Sequence, residues 1–534
     1  MIHSMRRGLV GVLVLSSFAW QASRSYVAFA QTPDGAQSTS WSKGAISHAQ
    51  RILSFPSLAT TVQRAPFVIP SSEIDLDTNG LVATSQPGGP TLTANNPFFQ
   101  NLGTNGRTCF TCHQPQTGWT ISAESARDRF AQSGGTDPLF RLVDGATCPS
   151  DDVSTAAARS RAYVLLLDKG LIRIGLPLPA GSPQSQFEIT AVSDPYNCTT
   201  NPNTGLTSPT TGIVSIYRRP LPSTNLGFLS TIMWDGREPT LAHQAVDATL
   251  IHAQGNSPGP TAAQQTQMVN FESGIFTSQI FDFGAQLLLA PPSQLAVTIP
   301  IPASSPVECS DTTVPQTGGP DALAQLLPDF FIGINDPLGM NPCGSAFTSN
   351  IFNLYENWSN LPGNSPQNRY RESVARGEAV FNTKLINITG VAGINDVLNV
   401  DSFPGSCGTC HDTPNVGDHS VKAPLNIGVT DANPGPPALD ISGLPVFTLQ
   451  CVAGSLAGKT FYVTDPGRAL ISGNCADIGK TKGPILRGLA ARAPYFHNGS
   501  AATLSDAVNF YDQRFNIGFT DEEKQDLVNF LETL

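Results

Sequence analysis

The chain has 534 residues, with 30 basic and 41 acidic side chains and a formal net charge of −11. The length predicts two or more domains. The negative charge argues against nucleic acid and against an anionic membrane surface as partners, because both already carry negative phosphate groups. An acidic surface suits a solvated exterior or a basic redox partner.

The first thirty residues have the layout of a secretory signal peptide. Arg6 and Arg7 form a basic region, Gly8–Trp20 is apolar, and Ala28-Phe29-Ala30 is a small-residue cleavage site. The apolar stretch is short for a membrane span. We therefore expect an exported protein, most simply periplasmic, without a transmembrane segment after cleavage. The alternative is an uncleaved N-terminal anchor. Without residues 1–30 the chain keeps 27 basic and 41 acidic side chains, a net charge of −14.

Two copies of Cys-x-x-Cys-His occur almost 300 positions apart, at Cys109–His113 and at Cys407–His411. This pentapeptide is the attachment signature of c-type haem. Two thiols one helical turn apart can form thioethers with one porphyrin, and the adjacent imidazole can ligate its iron. Half of a zinc site or a redox-active dithiol is the alternative for such a motif. Two copies predict two covalently bound haem c groups.

The motifs suggest how the chain is divided. Residues 31–95 are polar and proline-rich and form a predicted N-terminal extension. A first haem domain is predicted over 96–350 and a second over 351–534, each with long irregular insertions. The predicted fold class is mainly α with two cytochrome c-like haem domains, because strand patterns are weak and scattered.

Three segments carry a helical apolar pattern. One is Gln264–Leu289, and another is Tyr370–Phe381. The last begins with the capping box Thr520-x-x-Glu523 and continues with apolar residues at helical spacing up to Leu534.

Six cysteines remain outside the two haem motifs. An even number in an exported chain predicts three disulfides, although six cysteines allow 15 pairings. Pairing of nearest neighbours would staple irregular stretches that have no apolar period. Those pairs are Cys148–Cys198, Cys309–Cys343 and Cys451–Cys475.

Two further motifs make the chain resemble the bacterial di-haem cytochrome c peroxidases, a family that includes MauG-type enzymes. The first is the segment Met233-Trp-Asp-Gly-Arg237, followed by Thr240-Leu241 and Gln244. The second is Ala493-Pro-Tyr-Phe-His-Asn-Gly-Ser500, followed by Thr503-Leu504 and Ala507-Val508. In this order, and with two haem motifs, the blocks are typical of that family and cover about half of the chain.

The resemblance implies roles for two aromatic residues. Trp234 matches the tryptophan that lies between the two haems and assists electron transfer; an ordinary core tryptophan is the alternative. Many members place a methionine after the second motif as sixth ligand of the C-terminal haem, and this chain has none after Met340. Tyr511 stands at the corresponding place, as the axial tyrosine of MauG-type members does. A buried tyrosine hydrogen-bonded elsewhere is the alternative.

For the N-terminal haem, the resemblance implies an open iron, because no histidine occurs between His113 and His243. The family holds a glutamate ten residues after the glutamine that matches Gln244, and here that position is Gln254, which cannot exchange a proton as a carboxylate does. His252 stands two residues earlier. It is a candidate distal acid/base, a candidate axial ligand, or a histidine without a catalytic role.

Other features of the family are less well matched. A Ca²⁺ between the domains is implied by the resemblance alone, with Asn225 and the Thr481–Pro484 turn in suitable segments. His243 is expected on a helix surface. His497 is expected to contact a haem propionate or to hold its loop.

Three functions remain open from the sequence. The first is an oxidoreductase that uses peroxide or another small oxidant, either to reduce it or to oxidise a further substrate. The second is a di-haem electron-transfer protein without catalysis, and the third is an O₂-dependent di-haem oxygenase. The electron donor and the substrate are not identified by any motif.

Overall fold

Short antiparallel strands are more extensive in the structure than the sequence pattern indicated. The computed structural model describes residues 66–86, 88–179, 185–198, 212–226, 229, 231–288, 354–411 and 423–534. Within them are ten α-helices and thirteen strands. The predicted mainly α class therefore holds only in part. The predicted signal peptide and the Cys309–Cys343 pair lie outside the described residues.

The helices are between 4 and 18 residues long and are spread along the described chain. Their bounds are α1 Ala123–Ser133, α2 Ala156–Ala162, α3 Val164–Lys169, α4 Leu241–Ile251, α5 Ala262–Ser273, α6 Pro366–Thr383, α7 Asn395–Leu398, α8 Ala469–Ser472, α9 Leu504–Phe515 and α10 Asp521–Leu531. Helices α6 and α10 confirm two of the three predicted helices, and the Thr520 capping box is formed. No described helix has the length and apolarity that a membrane crossing requires.

The strands pair antiparallel throughout. Their bounds are β1 Val68–Ile69, β2 Ser72–Leu76, β3 Gly80–Ser85, β4 Thr91–Leu92, β5 Ile172–Pro177, β6 Phe187–Ser193, β7 Ile213–Arg218, β8 Phe276–Asp282, β9 Gln286–Leu287, β10 Ile386–Thr389, β11 Ser402–Gly405, β12 Val446–Cys451 and β13 Thr460–Val463. One sheet has the order β2-β3-β8-β9 and another has the order β13-β12-β6. The pairs β1-β4, β5-β7 and β10-β11 form two-stranded sheets.

The predicted helix Gln264–Leu289 is wrong beyond Ser273. Helix α5 starts earlier, behind a capping box of Thr261 with Gln264, and ends at Gly274. The chain then runs as β8 and pairs with β3. The residues after Gly274 are rich in phenylalanine, isoleucine and threonine, which favour a half-buried strand over a helix. Apolar spacing alone could not separate the two.

The insertions of the two sequence halves pack on each other. Strand β6 from the first half pairs along its length with β12 from the second. The disulfide Cys148–Cys198 joins a residue before β5 to a residue shortly after β6. The disulfide Cys451–Cys475 begins at the last residue of β12. Both disulfides confirm the predicted pairing. One apolar core contains side chains from both halves, among them Ile216 and Phe447. These contacts join the segments that carry the two haem motifs.

The C-terminal helices form the closest packing of the second half. A Cβ at Gly377 on α6 would lie 1.9 Å from the carbonyl oxygen of Asp526 on α10, so only glycine permits this crossing distance. Arg376 donates to the Asp526 carboxylate at 2.7 Å, and Ser373 also hydrogen-bonds to it. This pair of helices supports α9, which carries Tyr511.

A fully buried ion triad fastens the Trp234 motif to the second half. Arg218, at the end of β7, donates to Asp235 at 2.5 Å and to Asp465 at 2.6 Å. All three side chains are inaccessible to solvent. Burial alone would raise the pKa of Asp465, but the Arg218 charge lowers it below its usual range. Both carboxylates are therefore ionised partners of one guanidinium.

Arg218→Ala should destabilise the fold by about 3–5 kcal/mol, because it removes the arginine partner of the buried Asp465 and leaves the buried Asp235 with Arg237 alone. Chemical unfolding followed by circular dichroism measures this loss. The matched control is Glu522→Gln, which removes an ion pair whose carboxylate is 76% exposed and should cost at most about 1 kcal/mol. A similar small loss for both variants would show that the triad contributes little.

Candidate functional site

The two Cys-x-x-Cys-His motifs adopt the same turn. Each forms a single 3₁₀ turn, Cys109–Thr111 in the first and Cys407–Thr409 in the second. A threonine hydroxyl caps each turn by accepting the N–H of the residue before the first cysteine, at 3.0 and 2.9 Å. The histidine N–H then bonds to the carbonyl of the first cysteine, at 3.0 Å in both. The turn brings two thiols and one imidazole together, as thioether attachment and iron ligation require.

The four motif cysteines form no disulfide, whereas the other described cysteines are all disulfide-bonded. Burial raises the pKa of the Cys407 thiol to about 12 and that of Cys109 further. These thiols are accordingly neutral in the folded chain and remain available for covalent attachment.

A large apolar cavity adjoins the second motif. It encloses about 1750 Å³, counting its opening to solvent, and Cys407, Cys410 and His411 line one part of it. Burial lowers the pKa of His411 to about 4, so the imidazole is neutral at pH 7 and able to ligate a metal. Its Nδ1 atom has no hydrogen-bond partner within the described part of the chain. The remaining lining is mainly aliphatic and aromatic, which suits a porphyrin face.

Two buried arginines at this cavity have no carboxylate partner among the described residues. The Nε atoms of Arg219 and Arg492 are buried and have no hydrogen-bond partner among the described residues. Burial lowers the pKa of Arg219 to about 9 and that of Arg492 to about 10, and the Arg492 charge adds to the shift of Arg219. A buried cation normally has an anionic partner. The two propionates of a haem are anions of the right number, so the residues present fit a haem at this site.

Tyr511 lines the same cavity as His411. It lies on α9 and is surrounded by Phe496, Phe510 and Phe515. Burial raises the pKa of its hydroxyl, and that hydroxyl has no hydrogen-bond partner among the described residues. Tyr495, in the same cavity, instead donates to the carbonyl of Leu489 at 2.9 Å. The geometry thus leaves the Tyr511 oxygen uncommitted, as the predicted ligand must be.

At the first motif, His113 is held by one of its two ring nitrogens. Its Nδ1 lies 2.8 Å from the Trp119 carbonyl oxygen and 3.0 Å from the Ser223 hydroxyl. Nδ1–H donates to the carbonyl, which leaves the Nε2 lone pair for a metal. Burial lowers the pKa of His113 to about 4, so the ring is neutral. This arrangement fits an iron ligand whose tautomer is fixed by the protein.

An aromatic cluster surrounds this first turn. Phe98, Phe99, Phe110, Trp119 and Phe271 pack edge to face with ring centroids 4.9–6.3 Å apart. Glu272, beside Phe271 on α5, is 4% exposed, and burial raises the pKa of its carboxyl to about 8. The carboxyl is therefore mostly protonated at pH 7.

His252 lies at the C-terminal end of α4, close enough for its charge to lower the pKa of His113. Its Nδ1 contacts Asp144 Oδ2 at 2.7 Å, and the side chain is 27% exposed. Arg107 donates to the same carboxylate at 2.6 Å and is itself buried. Asp144 thus fixes the ring so that Nε2 faces away from the carboxylate. Asp144 and Arg107 are site residues that the sequence did not predict. For Arg107 the only signal is its position two residues before Cys109, and Asp144 has no local signal.

The backbone around His252 is bound to the approach to the first haem motif. Asn105 donates to the His252 carbonyl at 2.8 Å, and Thr104 N–H donates to the Ala253 carbonyl at 3.1 Å. Gln254 is exposed, has a positive φ of 53°, and its carbonyl accepts from the Thr104 hydroxyl. Gln244 is half-buried on α4. Catalytic roles for these two glutamines remain predictions.

The two family-like motifs meet at Trp234. Its indole Nε1–H donates to the Arg219 carbonyl at 2.7 Å, and its ring lies 5.9 Å from that of His497. Trp234 is 7% exposed and lines the second-motif cavity. His497 Nε2 lies 3.6 Å from Asp465, a member of the buried ion triad. His497 is thus a buried loop residue beside Trp234, and its contact with a propionate remains a prediction.

One short segment connects the surroundings of the two motifs. Residues 219–223 contact Trp234 through the Arg219 carbonyl and His113 through the Ser223 hydroxyl. Arg219 and Pro222 also line the second-motif cavity. A five-residue stretch therefore links the first-motif histidine to the tryptophan at the second centre.

The predicted calcium ligands are engaged in other contacts. The side-chain oxygen of Asn225 accepts the Thr277 N–H at 3.0 Å, and its amide donates back to the Thr277 carbonyl at 3.2 Å. Thr481 exchanges backbone hydrogen bonds with Leu425. Calcium binding stays a prediction.

Turns that combine two thiols with a neutral histidine, together with a cavity suited to a porphyrin, are typical of the class of c-type haem proteins. No family model matches the chain. It is 36% identical over 149 residues to the "Cytochrome-c peroxidase IdrP2" of Denitromonas iodatirespirans, covering 26% of this chain and 38% of that protein. It is also 42% identical over 79 residues to the "Cytochrome c551 peroxidase" of Nitrosomonas europaea, covering 14% of this chain and 24% of that protein.

The matched segments thus span less than two fifths of these relatives. A third similarity, 36% identity over 81 residues, is to the "Cytochrome-c peroxidase IdrP1" of Pseudomonas sp.. These findings confirm that the chain is related to bacterial cytochrome c peroxidases, as its motifs indicated.

Tyr511→Phe should alter the absorption spectrum of the C-terminal haem alone, because it removes the uncommitted oxygen from the cavity. Tyr495→Phe removes a hydroxyl that is bound to Leu489 in the same cavity, and it should leave the spectrum unchanged. Optical spectra of both purified variants in the oxidised state make the comparison. Identical spectra for Tyr511→Phe and the parent protein would exclude Tyr511 as a ligand.

Proposed function

We propose that this chain is an exported, periplasmic di-haem c-type oxidoreductase of the cytochrome c peroxidase and MauG type. Peroxide is its small oxidant, an N-terminal haem at His113 is the reactive centre, and a C-terminal haem at His411 handles electrons. Three findings support this proposal. The relatives with printed names are cytochrome c peroxidases, both attachment turns have equivalent geometry, and a polarised histidine stands near His113.

The contact of His252 with Asp144 is the observation that carries the proposal. A bound haem supplies the redox-active iron at which a peroxide O–O bond is cleaved. Nδ1–H of His252 donates to Asp144, so Nε2 is the basic nitrogen and its orientation is fixed. An imidazole whose Nδ1–H is held by a carboxylate can accept a proton at Nε2 and return it.

His252 moves one proton between the two oxygens of peroxide. Nε2 takes the proton from one oxygen of H₂O₂ and returns it to the other oxygen, which leaves as water. Two electrons and two protons in total convert one peroxide to two waters. Arg107 keeps Asp144 ionised, because burial alone would raise the pKa of that carboxyl and the arginine charge lowers it. Gln254, which replaces the acid of the family, takes no part in this transfer.

Electrons reach the reactive centre through the tryptophan. Trp234 lines the C-terminal cavity, and its Nε1–H bonds to the segment 219–223 that also contacts His113. Since the indole N–H is held by a carbonyl rather than a base, Trp234 passes electrons without a local proton acceptor. His497 packs against the Trp234 ring, and its own Nε2 lies 3.6 Å from Asp465.

The acid that the peroxidases use is absent at Gln254, which favours oxidation of a further substrate over simple peroxide removal. The electron source in that case is the substrate itself, an exposed protein side chain or an apolar molecule. The His252 side chain is 27% exposed, whereas Arg107 and Asp144 behind it are buried. Peroxide can therefore reach the imidazole from solvent.

The test uses the haem-loaded protein and its His252→Ala variant. The oxidised parent protein should show one high-spin and one low-spin signal in low-temperature EPR. His252→Ala should keep both signals and lose about 100-fold or more of its peroxide turnover, because a positioned acid/base contributes about 10²–10⁴-fold. Asn256→Ala is the matched control, an exposed polar residue four positions away, and should retain turnover.

Three results would contradict the proposal in distinguishable ways. Two low-spin signals in the parent, one of which becomes high-spin in His252→Ala, would make His252 an axial ligand and favour an electron-transfer protein. No peroxide turnover with any donor, together with O₂ consumption on an unsaturated substrate, would favour the oxygenase. Full turnover in His252→Ala would exclude the imidazole from proton transfer.

Trp234→Phe should slow electron transfer between the centres at least about tenfold, with both haems retained, because phenylalanine is harder to oxidise and lacks the bond to Arg219. Rapid-mixing spectroscopy after addition of peroxide to the half-reduced protein measures the rate. The matched control is Trp358→Phe, a half-buried tryptophan that packs on Tyr355 and does not line the second-motif cavity. An unchanged rate in Trp234→Phe would show that electrons take another path.

A further inference from the structure

Three metal-ligating side chains converge outside the two haem motifs, at the start of α4. Glu238, His243 and Asp247 place one ligand atom each within 4.8 Å of the others. His243 Nδ1 lies 2.5 Å from Glu238 Oε2, and Glu238 also hydrogen-bonds to Asp247. The proposed peroxide chemistry uses none of these three residues.

The fold determines this convergence. His243 and Asp247 are four residues apart on α4, so their side chains lie on one face, one turn above the other. Glu238 is brought up from the preceding segment, where the Ile232–Glu238 bridge closes the turn that carries Trp234. The side chain of Glu238 is 3% exposed and that of His243 is 57% exposed. The group therefore has one fixed ligand on the protein side and an open side toward solvent.

We propose that Glu238, His243 and Asp247 bind a divalent first-row transition-metal ion, with Zn²⁺ as the representative. One imidazole and two carboxylates, without a thiolate, suit borderline divalent ions. Such ions bind these ligands at about 2.0–2.2 Å, and the open side leaves a coordination position for water. Small side-chain rotations suffice, because the ligand atoms already lie within 4.8 Å of one another.

The charges of the group favour a cation. Two carboxyl groups in contact need a proton or a cation between them. Arg237 lies 3.8 Å from Glu238, but it is also bound to Asp235 at 3.0 Å. A divalent ion would satisfy both carboxylates and take the place of the histidine N–H contact.

A metal ion at this position would connect two segments of the chain. Glu238 directly follows the Trp234–Arg237 motif, whereas His243 and Asp247 belong to the helix that ends at His252. An ion bound by all three would therefore tie the tryptophan turn to α4. Since a ligand that binds only the folded state stabilises it, Zn²⁺ should also raise the melting temperature.

The test is isothermal titration calorimetry of Zn²⁺ into the haem-loaded protein, in which thioether bonds and iron occupy the haem cysteines and histidines. The expected result is one saturable equivalent. His243→Gln should weaken the affinity on the order of 100-fold, because loss of even an indirect ligand contact costs about 10–100-fold. Its amide can still donate to Glu238, so the local hydrogen bond is kept. Glu188→Gln, an exposed carboxylate on β6, is the control and should bind as the parent does.

The rise in melting temperature on addition of Zn²⁺ provides a second readout. It compares the same variant with and without the ion, so a difference in intrinsic stability between variants does not affect it. It should be present in the parent and in Glu188→Gln and be lost in His243→Gln and Asp247→Asn. The proposal is overturned by the absence of a one-equivalent site in the parent. It is equally overturned by equal affinity in the parent and His243→Gln. Peroxide turnover is not part of either readout.

Discussion

The buried pairing of one guanidinium with two carboxylates is the constraint on which the rest of the molecule depends. Arg218, Asp235 and Asp465 come from three separate segments, and none of them is accessible to water. Because each ion is stable there only with its partners, the three segments have one relative position. That position sets Trp234 against His497 and places residues 219–223 between the two attachment turns. The geometry on which the proposed electron path depends is thus a consequence of charge burial.

Much of the site was predictable because its chemistry is local in sequence. The spacing of Cys109, Cys112 and His113 is enough to define a turn with two thiols and an imidazole, and the structure forms that turn in both copies. Trp234, His497 and Tyr511 were found through motifs, and the structure places all three at one cavity. Helices α6 and α10 were predictable from their period and cap. Two disulfides followed from the pairing of neighbouring cysteines.

What the sequence did not reveal depends on contacts between distant residues. Asp144 reaches His252 across 108 positions, and no local pattern distinguishes it from other acidic residues in an irregular stretch. Strands of two to seven residues, such as β6 and β12, gain their stability from pairing partners far along the chain, so their alternation is too brief to recognise. The segment after Gly274 is a strand for the same reason: its pairing partner β3 lies far away in the sequence, so the local pattern predicts a helix instead. Apolar residues in a short segment fit either period.

The two arginines at the C-terminal cavity donate to backbone carbonyls but pair with no described carboxylate. Arg219 and Arg492 are buried beside each other's charge, with Nε atoms that no described residue satisfies. In a chain without its prosthetic group these cations oppose closure of the cavity, since desolvating an unpaired charge is costly. Anions bound beside Arg219 and Arg492 would remove that cost. Occupation of the cavity by a group with two carboxylates should therefore stabilise the folded second half, as any ligand that binds only the native state does.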